Sequence, residues 1–186
     1  MNDSRGRPSD EIGDASETGV WADLGAGTGA FTLALADLLP AGSVIHAIDK
    51  DAKALAENRR AFARFARARE ALTLQTHAAD FTRDLDLPPL DGVVMANSLH
   101  FVRDKDPVLA RVRAMLKPGA PLLLVEYDAD SGNPWVPYPL SFETWKTVAV
   151  ANGFAEPRLL ASEPSRFLRR IYSAASTRGR TAPLRP

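Results

Sequence analysis

Short apolar runs alternate along this chain with longer stretches in which apolar residues recur every three to four positions. The runs Val20–Leu24, Ser43–Asp49, Leu72–Ala78, Gly92–Ala96 and Pro121–Tyr127 are nearly continuous in apolar or small residues, as parallel strands covered on both faces are. Between them, Phe31, Leu35, Leu38 and Leu39 form one helical stripe, Leu55, Phe62 and Phe65 a second, and Val108, Leu109, Val112 and Leu116 a third. Asp51 is placed to cap the second helix and Asp106 with Pro107 to open the third, which Lys117-Pro118-Gly119 stops. A last helix fits Phe142–Asn152, ended by Gly153. Two strand candidates follow, Arg158–Ala161 and Phe167–Ala174, joined by Ser162–Arg166. Alternating strands and helices predict an α/β fold with a mostly parallel sheet, and the closing pair predicts a hairpin that adds an antiparallel strand. The chain has no internal repeat.

The 186 residues suit one domain. Residues 1–19 and 176–186 are polar and rich in Gly, Pro, Ser and Arg, so the folded unit is expected over 20–175 with a flexible tail on each side. Lys and Arg number 23 and Asp and Glu 23, for a net charge of +0. No long-range field therefore gathers nucleic acid or an anionic membrane, and nucleic acid is not an expected partner. The basic stripe Lys53, Arg59, Arg60, Arg64, Arg67 and Arg69 reads as a solvated helix face. The absence of cysteine removes disulfides, thiolate catalysis and sulfur-ligated zinc, and no metal site is predicted. No apolar run reaches the ~18 residues of a membrane span, and 1–19 lacks a signal-peptide core. A cytoplasmic protein is the expectation.

Candidate chemistry gathers at Asp23-Leu24-Gly25-Ala26-Gly27-Thr28-Gly29, which follows a strand and opens a helix. Glycines at this spacing let a ligand approach the backbone and leave N–H groups for it at the helix N-terminus. Gly25, Gly27 and Ala30 also satisfy the dinucleotide pattern G-x-G-x-x-A. Asp23 opposes a pyrophosphate but suits a ligand with an ammonium or sulfonium centre. Asp49, at the end of the second strand, can accept from a ribose diol under either reading. Asp80 after the third strand suits an exocyclic amine, and Asn97 ends the fourth strand beside the same crevice.

With Ile45–Asp49, Ala78–Phe81, Asp91–His100 and Leu116–Glu126 following in order, the sequence resembles the class I S-adenosylmethionine-dependent methyltransferases of small-molecule type. The resemblance covers about 20–175. It implies a Rossmann-like three-layer sandwich with a seven-stranded sheet, mostly parallel, whose last strand is antiparallel. It implies S-adenosylmethionine as cofactor and S-adenosylhomocysteine as product. Asp23, Gly25, Ala26, Gly27 and Gly29 would hold the methionine moiety, Asp49 the ribose, and Asp80 with Phe81 the adenine edge, with Asn97 beside them. Lys50 departs from the apolar residue common at its position, and its aliphatic stem would substitute.

Methyl transfer from a sulfonium requires mainly alignment and water exclusion, and orientation alone contributes about 7–11 kcal/mol. A general base matters for a hydroxyl acceptor and less for an amine, thiolate or activated carbon. His100 is the histidine that the strand pattern places near the crevice, whereas His46 and His77 fall within strands and read as structural. The segment 127–140 carries three prolines with Trp135 and Tyr138, and with Tyr127 at its base it is the candidate wall of the acceptor site. Asp128 is placed at the same floor; a packing role for Trp135 is the alternative. The family often has covering helices before the first strand where this chain has only 1–19, so the acceptor side is expected to be open or closed by an ordering segment or a second subunit, as in a homodimer. The function expected is methyl transfer to the O, N or C atom of a small-molecule acceptor. A non-catalytic adenosyl-ligand subunit is the alternative, and a nicotinamide-dependent dehydrogenase is disfavoured by Asp23.

Overall fold

The computed structural model describes residues 18–66 and 72–179. The expectations for residues 1–17 and 180–186 of the tails, and for Arg67 and Arg69, lie outside the described residues. The elements run β1 (Val20–Leu24), α1 (Ala30–Leu38), β2 (Val44–Asp49), α2 (Ala52–Ala66), β3 (Thr73–Ala78), β4 (Gly92–Ala96), a 3₁₀ turn (Leu99–Phe101), α3 (Asp106–Met115), β5 (Pro121–Tyr127), α4 (Phe142–Ala151), β6 (Arg158–Pro164) and β7 (Arg170–Thr177). One seven-stranded sheet has the order β3-β2-β1-β4-β5-β7-β6. Strands β1 to β5 are parallel, and β7 runs antiparallel to both β5 and β6. This is the Rossmann-like arrangement expected. Among the described residues no helix is long and apolar enough to cross a membrane.

The pleat sorts the core into two layers. Trp21, Ile45, Val94 and Ala96 face Leu35, Ala36 and Phe62 of α1 and α2. Leu24, Val93, Met95, Leu122 and Leu124 face Val108, Leu109 and Val112 of α3 and Trp145 of α4. Asp51 caps α2 as expected, its Oδ1 accepting from the Lys53 and Ala54 N–H groups at 2.8 and 3.2 Å. Ser141 caps α4 by accepting from the Thr144 N–H.

Four expectations shift. β3 is an edge strand with Thr73, Gln75 and Ala78 exposed rather than covered on both faces. The connection from β3 to β4 contains no helix, so α2 covers only one side of it. In α1, Leu38 is exposed, because the helix turns Thr32, Leu35 and Ala36 toward the sheet. Asp106 lies inside the first turn of α3 rather than before it. Finally, β7 runs through Thr177 with Ser176 buried, past the expected boundary at 175, because those residues complete the ladder to Pro121 and Leu122 of β5.

Candidate active site

The turn after β1 is shaped by close packing rather than by polar capping. Gly25, Gly27 and Gly29 all have positive φ, a region open to glycine at little cost. The Gly25 and Ala26 N–H groups donate to the Ile48 carbonyl at 2.8 and 3.0 Å, Gly27 donates to Asp49 Oδ2 at 2.8 Å, and Gly29 donates to the Ala26 carbonyl. The amides expected to face a ligand are thus already bonded, which leaves the loop poorly equipped as a phosphate cradle. A Cβ on Gly27 would meet no heavy atom within 4 Å. The space above it is open.

Asp23 does not face the crevice. Its buried carboxylate accepts from the Thr32 hydroxyl at 2.7 Å, and Thr32 in turn accepts from Asn58 Nδ2 at 2.9 Å. This chain ties β1, α1 and α2 together beneath the turn, and Asn58 fills the space a side chain at Gly29 would need. Burial pushes the Asp23 carboxyl up from 3.8 to about 6; the Thr32 hydrogen bond opposes the rise and the neighbouring Asp49 charge adds to it. The folded state therefore holds a proton between pH 4 and 6 that the unfolded state has released, so stability falls as pH rises through that window. The loss is ~3 kcal/mol. Denaturation of Asp23→Asn and the parent across this range checks it: the variant is expected to lose less stability than the parent as pH rises, and parallel curves refute the assignment.

At the carboxyl ends of the parallel strands lies a cleft of about 350 Å³, lined among others by Gly25, Asp49, Lys50, Asp80, Phe81 and Asn97. Small-molecule sites occupy ~300–1,000 Å³. Six of the ten expected cofactor residues therefore meet there. Ala26 is buried against β2, and Asp23 and Gly29 support the turn from below. Asp49 uses Oδ1 to accept from the Asp51 N–H and Oδ2 from Gly27, each at 2.8 Å, which fixes the carboxylate at the rim. Asp80 accepts from the Thr82 hydroxyl and N–H at 2.7 and 2.9 Å, and these bonds hold its carboxyl below the usual range. Asn97 sits at φ 53 with its Oδ1 buried and without a hydrogen-bond partner. A buried unpaired acceptor costs ~1–3 kcal/mol, so its retention in the wall of a cleft points to a donor on a ligand.

His100, on the 3₁₀ turn after β4, is 3% exposed, and its Nδ1 lies 2.8 Å from Oε1 of Glu126, which is 0% exposed at the end of β5. The sequence singles out His100 but assigns Glu126 no role. Its signal is a carboxylate closing an otherwise apolar strand, where burial demands a partner. Phe101 stacks beside the imidazole at 4.3 Å between ring centroids, and Tyr127 meets it edge-on at 5.6 Å. Tyr127 is buried, and its hydroxyl is pushed upward by burial and by the Glu126 charge. Tyr138 reaches the same place through its backbone, the N–H donating to the His100 carbonyl at 3.0 Å. Lys105, also missed, pins this segment by donating to the Tyr138 and Val102 carbonyls at 2.9 and 3.0 Å. Asp128, half-buried, accepts from the Phe142 N–H at the start of α4. Trp135 is 75% exposed, with Val136 and Leu140 taking the packing role instead. Trp135→Ala is accordingly expected to change stability by less than ~0.5 kcal/mol. A larger fall in a denaturation curve restores the packing reading. His46 and His77, from neighbouring strands, bond to each other through Nδ1 and Nε2 at 2.9 Å.

Residues 22–122 match the family model of a methyltransferase domain. Over 114 residues, 52% of the chain, the sequence is 33% identical to the highly reducing polyketide synthase ltbA of Aspergillus luteorubrus, of which it spans 4%. Among solved structures, the CurJ carbon methyltransferase superposes with a TM-score of 0.70 at 21% identity, over 94% of this chain and 50% of that one. An S-adenosylmethionine-dependent methyltransferase from Methanosarcina mazei superposes with a TM-score of 0.67 at 17% identity, over 88% and 94%. At these identities the two structures describe the shared fold.

Proposed function

The chain belongs to the class I S-adenosylmethionine-dependent methyltransferases, and from that premise we propose that it methylates a small molecule whose acceptor atom must first lose a proton, a carbon flanked by carbonyl groups or, less favoured, a hydroxyl. The observation that carries this reading is the buried pair of His100 and Glu126, the histidine standing directly before Phe101 and Val102, which line the cleft. A neutral amine or a thiolate already carries the attacking lone pair and asks less of such a base. The match to a polyketide synthase and the likeness to a carbon methyltransferase support carbon.

S-adenosylmethionine supplies, when bound, the sulfonium methyl that is the electrophile. The residues present fit this cofactor. The open space over Gly27, the unpaired Asn97 Oδ1 and the carboxylates of Asp49 and Asp80 offer acceptors to a cation with hydroxyl and amine donors, whereas the loop amides a diphosphate requires are spent on the protein. Asp49 would hold the ribose hydroxyls, Asp80 and Phe81 the adenine, and Gly27 and Asn97 the amino-acid end, with the Lys50 stem along the rim.

Glu126 fixes the imidazole by accepting from Nδ1–H, which leaves Nε2 as the basic atom. The acceptor's proton passes to Nε2 while the electron pair it leaves becomes the nucleophile. The charge then developing on the ring is stabilised across the 2.8 Å hydrogen bond by a carboxylate held away from water. Phe101 and Tyr127 exclude solvent from the imidazole.

Two measurements test the reading. Asp49→Ala is expected to weaken S-adenosylmethionine binding at least tenfold in calorimetry, about 1.4 kcal/mol; unchanged affinity in a folded variant refutes that assignment. Methyl-labelled S-adenosylmethionine should deliver label to 1,3-dicarbonyl compounds or to phenols in an acceptor panel. Label on amines alone removes the base from the mechanism.

A further inference from the structure

The exposed large apolar side chains of the described residues separate into two groups. Leu38, Val150, Leu159 and Leu160 are aliphatic and lie along helix ends and the outer strand. The four aromatic ones, Phe101 (60% exposed), Trp135 (75%), Tyr138 (40%) and Phe167 (69%), all lie at the carboxyl end of the sheet. β6 runs in the same sense as β5, because each is antiparallel to β7, so the β6–β7 turn that carries Phe167 projects beside the loops after β4 and β5. Hydrogen bonds to the main chain tie together the loops that carry these aromatics. Phe101 lines the cleft and stacks on His100. Tyr138 bonds to the His100 carbonyl, and Asn133, whose Oδ1 accepts from the Trp135 N–H, donates through Nδ2 to the Phe167 carbonyl at 3.4 Å.

Aromatic side chains left in water at one end of a fold, beside a cleft, offer apolar surface to a ligand. The same end carries Arg103 next to the 3₁₀ turn, and Arg166 and Arg169 on either side of Phe167 in the hairpin turn; all three are exposed, and none enters an ion pair among the described residues. Asp104 is the counter-charge nearest in sequence to Arg103.

Building on the methyl-transfer reading above, we propose that the acceptor is an anionic amphiphile: a reactive carbon at His100, an apolar chain lying over Phe101, Tyr138, Trp135 and Phe167, and an acidic group at its far end facing Arg166 and Arg169, with Arg103 at the mouth of the cleft. The aromatic track selects for chain length. The arginines select for charge and steer the ligand into the track.

Calorimetry on the full chain with 10,12-dioxotridecanoate, 4,6-dioxoheptanoate and methyl 10,12-dioxotridecanoate, which carry a 1,3-dicarbonyl at one end and the acid or ester at the other, tests the three parts without turnover. The long anion is expected to bind at least tenfold more tightly than the short one and several-fold more tightly than the neutral ester. Trp135→Ala with Phe167→Ala should remove the chain-length preference, and replacing Arg166 and Arg169 with alanine should remove the preference for the anion over the ester while keeping that for length. Equal affinity for long and short anions, or a double variant that binds like the parent, overturns the proposal. So does a result in which the double variant loses only its sedimentation with anionic phospholipid vesicles, which would make the track a membrane-docking face. S-adenosylmethionine titrated into the same samples separates the two claims. Cofactor binding without chain-length dependence removes only the amphiphile, whereas chain-length dependence without cofactor binding removes the methyl-transfer reading.

Discussion

Replacing His100 by Asn is expected to slow methyl transfer to a carbon acid or hydroxyl by ~10²–10⁴-fold, the range a positioned base contributes. Asparagine keeps a polar group that can still reach Glu126, so the variant should fold. It offers no nitrogen that accepts a proton. Because His100 is not among the residues proposed to hold the cofactor, S-adenosylmethionine affinity should remain within threefold of the parent. Glu126→Gln provides the companion result: the imidazole keeps an acceptor at Nδ1 but loses the buried negative charge that stabilises its protonated form. Turnover should fall at least tenfold, because the imidazolium that forms as the acceptor loses its proton is no longer stabilised by a buried carboxylate. Full activity of His100→Asn on the acceptor that the parent methylates removes His100 from the chemistry.

Gly25→Ala is expected to have the largest effect on the cofactor site and on stability together. A Cβ at this position would lie 2.4 Å from Ser98 Cβ, on a backbone at φ +82. The left-handed conformation costs ~1–2 kcal/mol for a residue with a side chain. Displacing Ser98 also breaks the buried bond its hydroxyl donates to the Leu24 carbonyl at 2.7 Å, worth ~1 kcal/mol. The sum, about 3 kcal/mol, corresponds to a fall in Tm of roughly 6–12 °C for a domain of this size, with cofactor binding lost. Gly27→Ala separates the two effects, since its Cβ meets nothing within 4 Å. It should cost only the backbone strain in stability while still weakening cofactor affinity at least tenfold, because the methyl group occupies the ligand's side of the turn. Equal melting of the two variants would show that the Ser98 contact is not what holds the turn.

Much of the fold was legible because its signals are local. The alternation of apolar runs and helical stripes places β1, β2, β4 and β5 within a residue of their ends, and Pro107 and Gly153 punctuate α3 and α4 where expected. The misjudged elements are those whose environment comes from elsewhere in the chain. β3 reads as buried because its composition resembles its neighbours', yet the strand order puts it at the sheet edge, and no helix in the connection to β4 covers its second face. Leu38 belongs to an apolar stripe by spacing, but the Asp23–Thr32 bond draws a neighbouring face of α1 inward.

The sequence by itself determined the α/β class, the glycine turn, and the gathering of Asp49, Asp80 and Asn97 at one end of the sheet, because strand polarity and turn chemistry are written in neighbouring residues. Tertiary structure alone decided which way the side chains face. It turned Asp23 from the crevice into a buried network, left Asn97 Oδ1 unpaired, exposed Trp135 and joined His100 to a glutamate 26 residues away. Such pairings depend on strands adjacent in the sheet but distant in the chain, and on the cost of burying charge without a partner, which is known only once the sheet has formed.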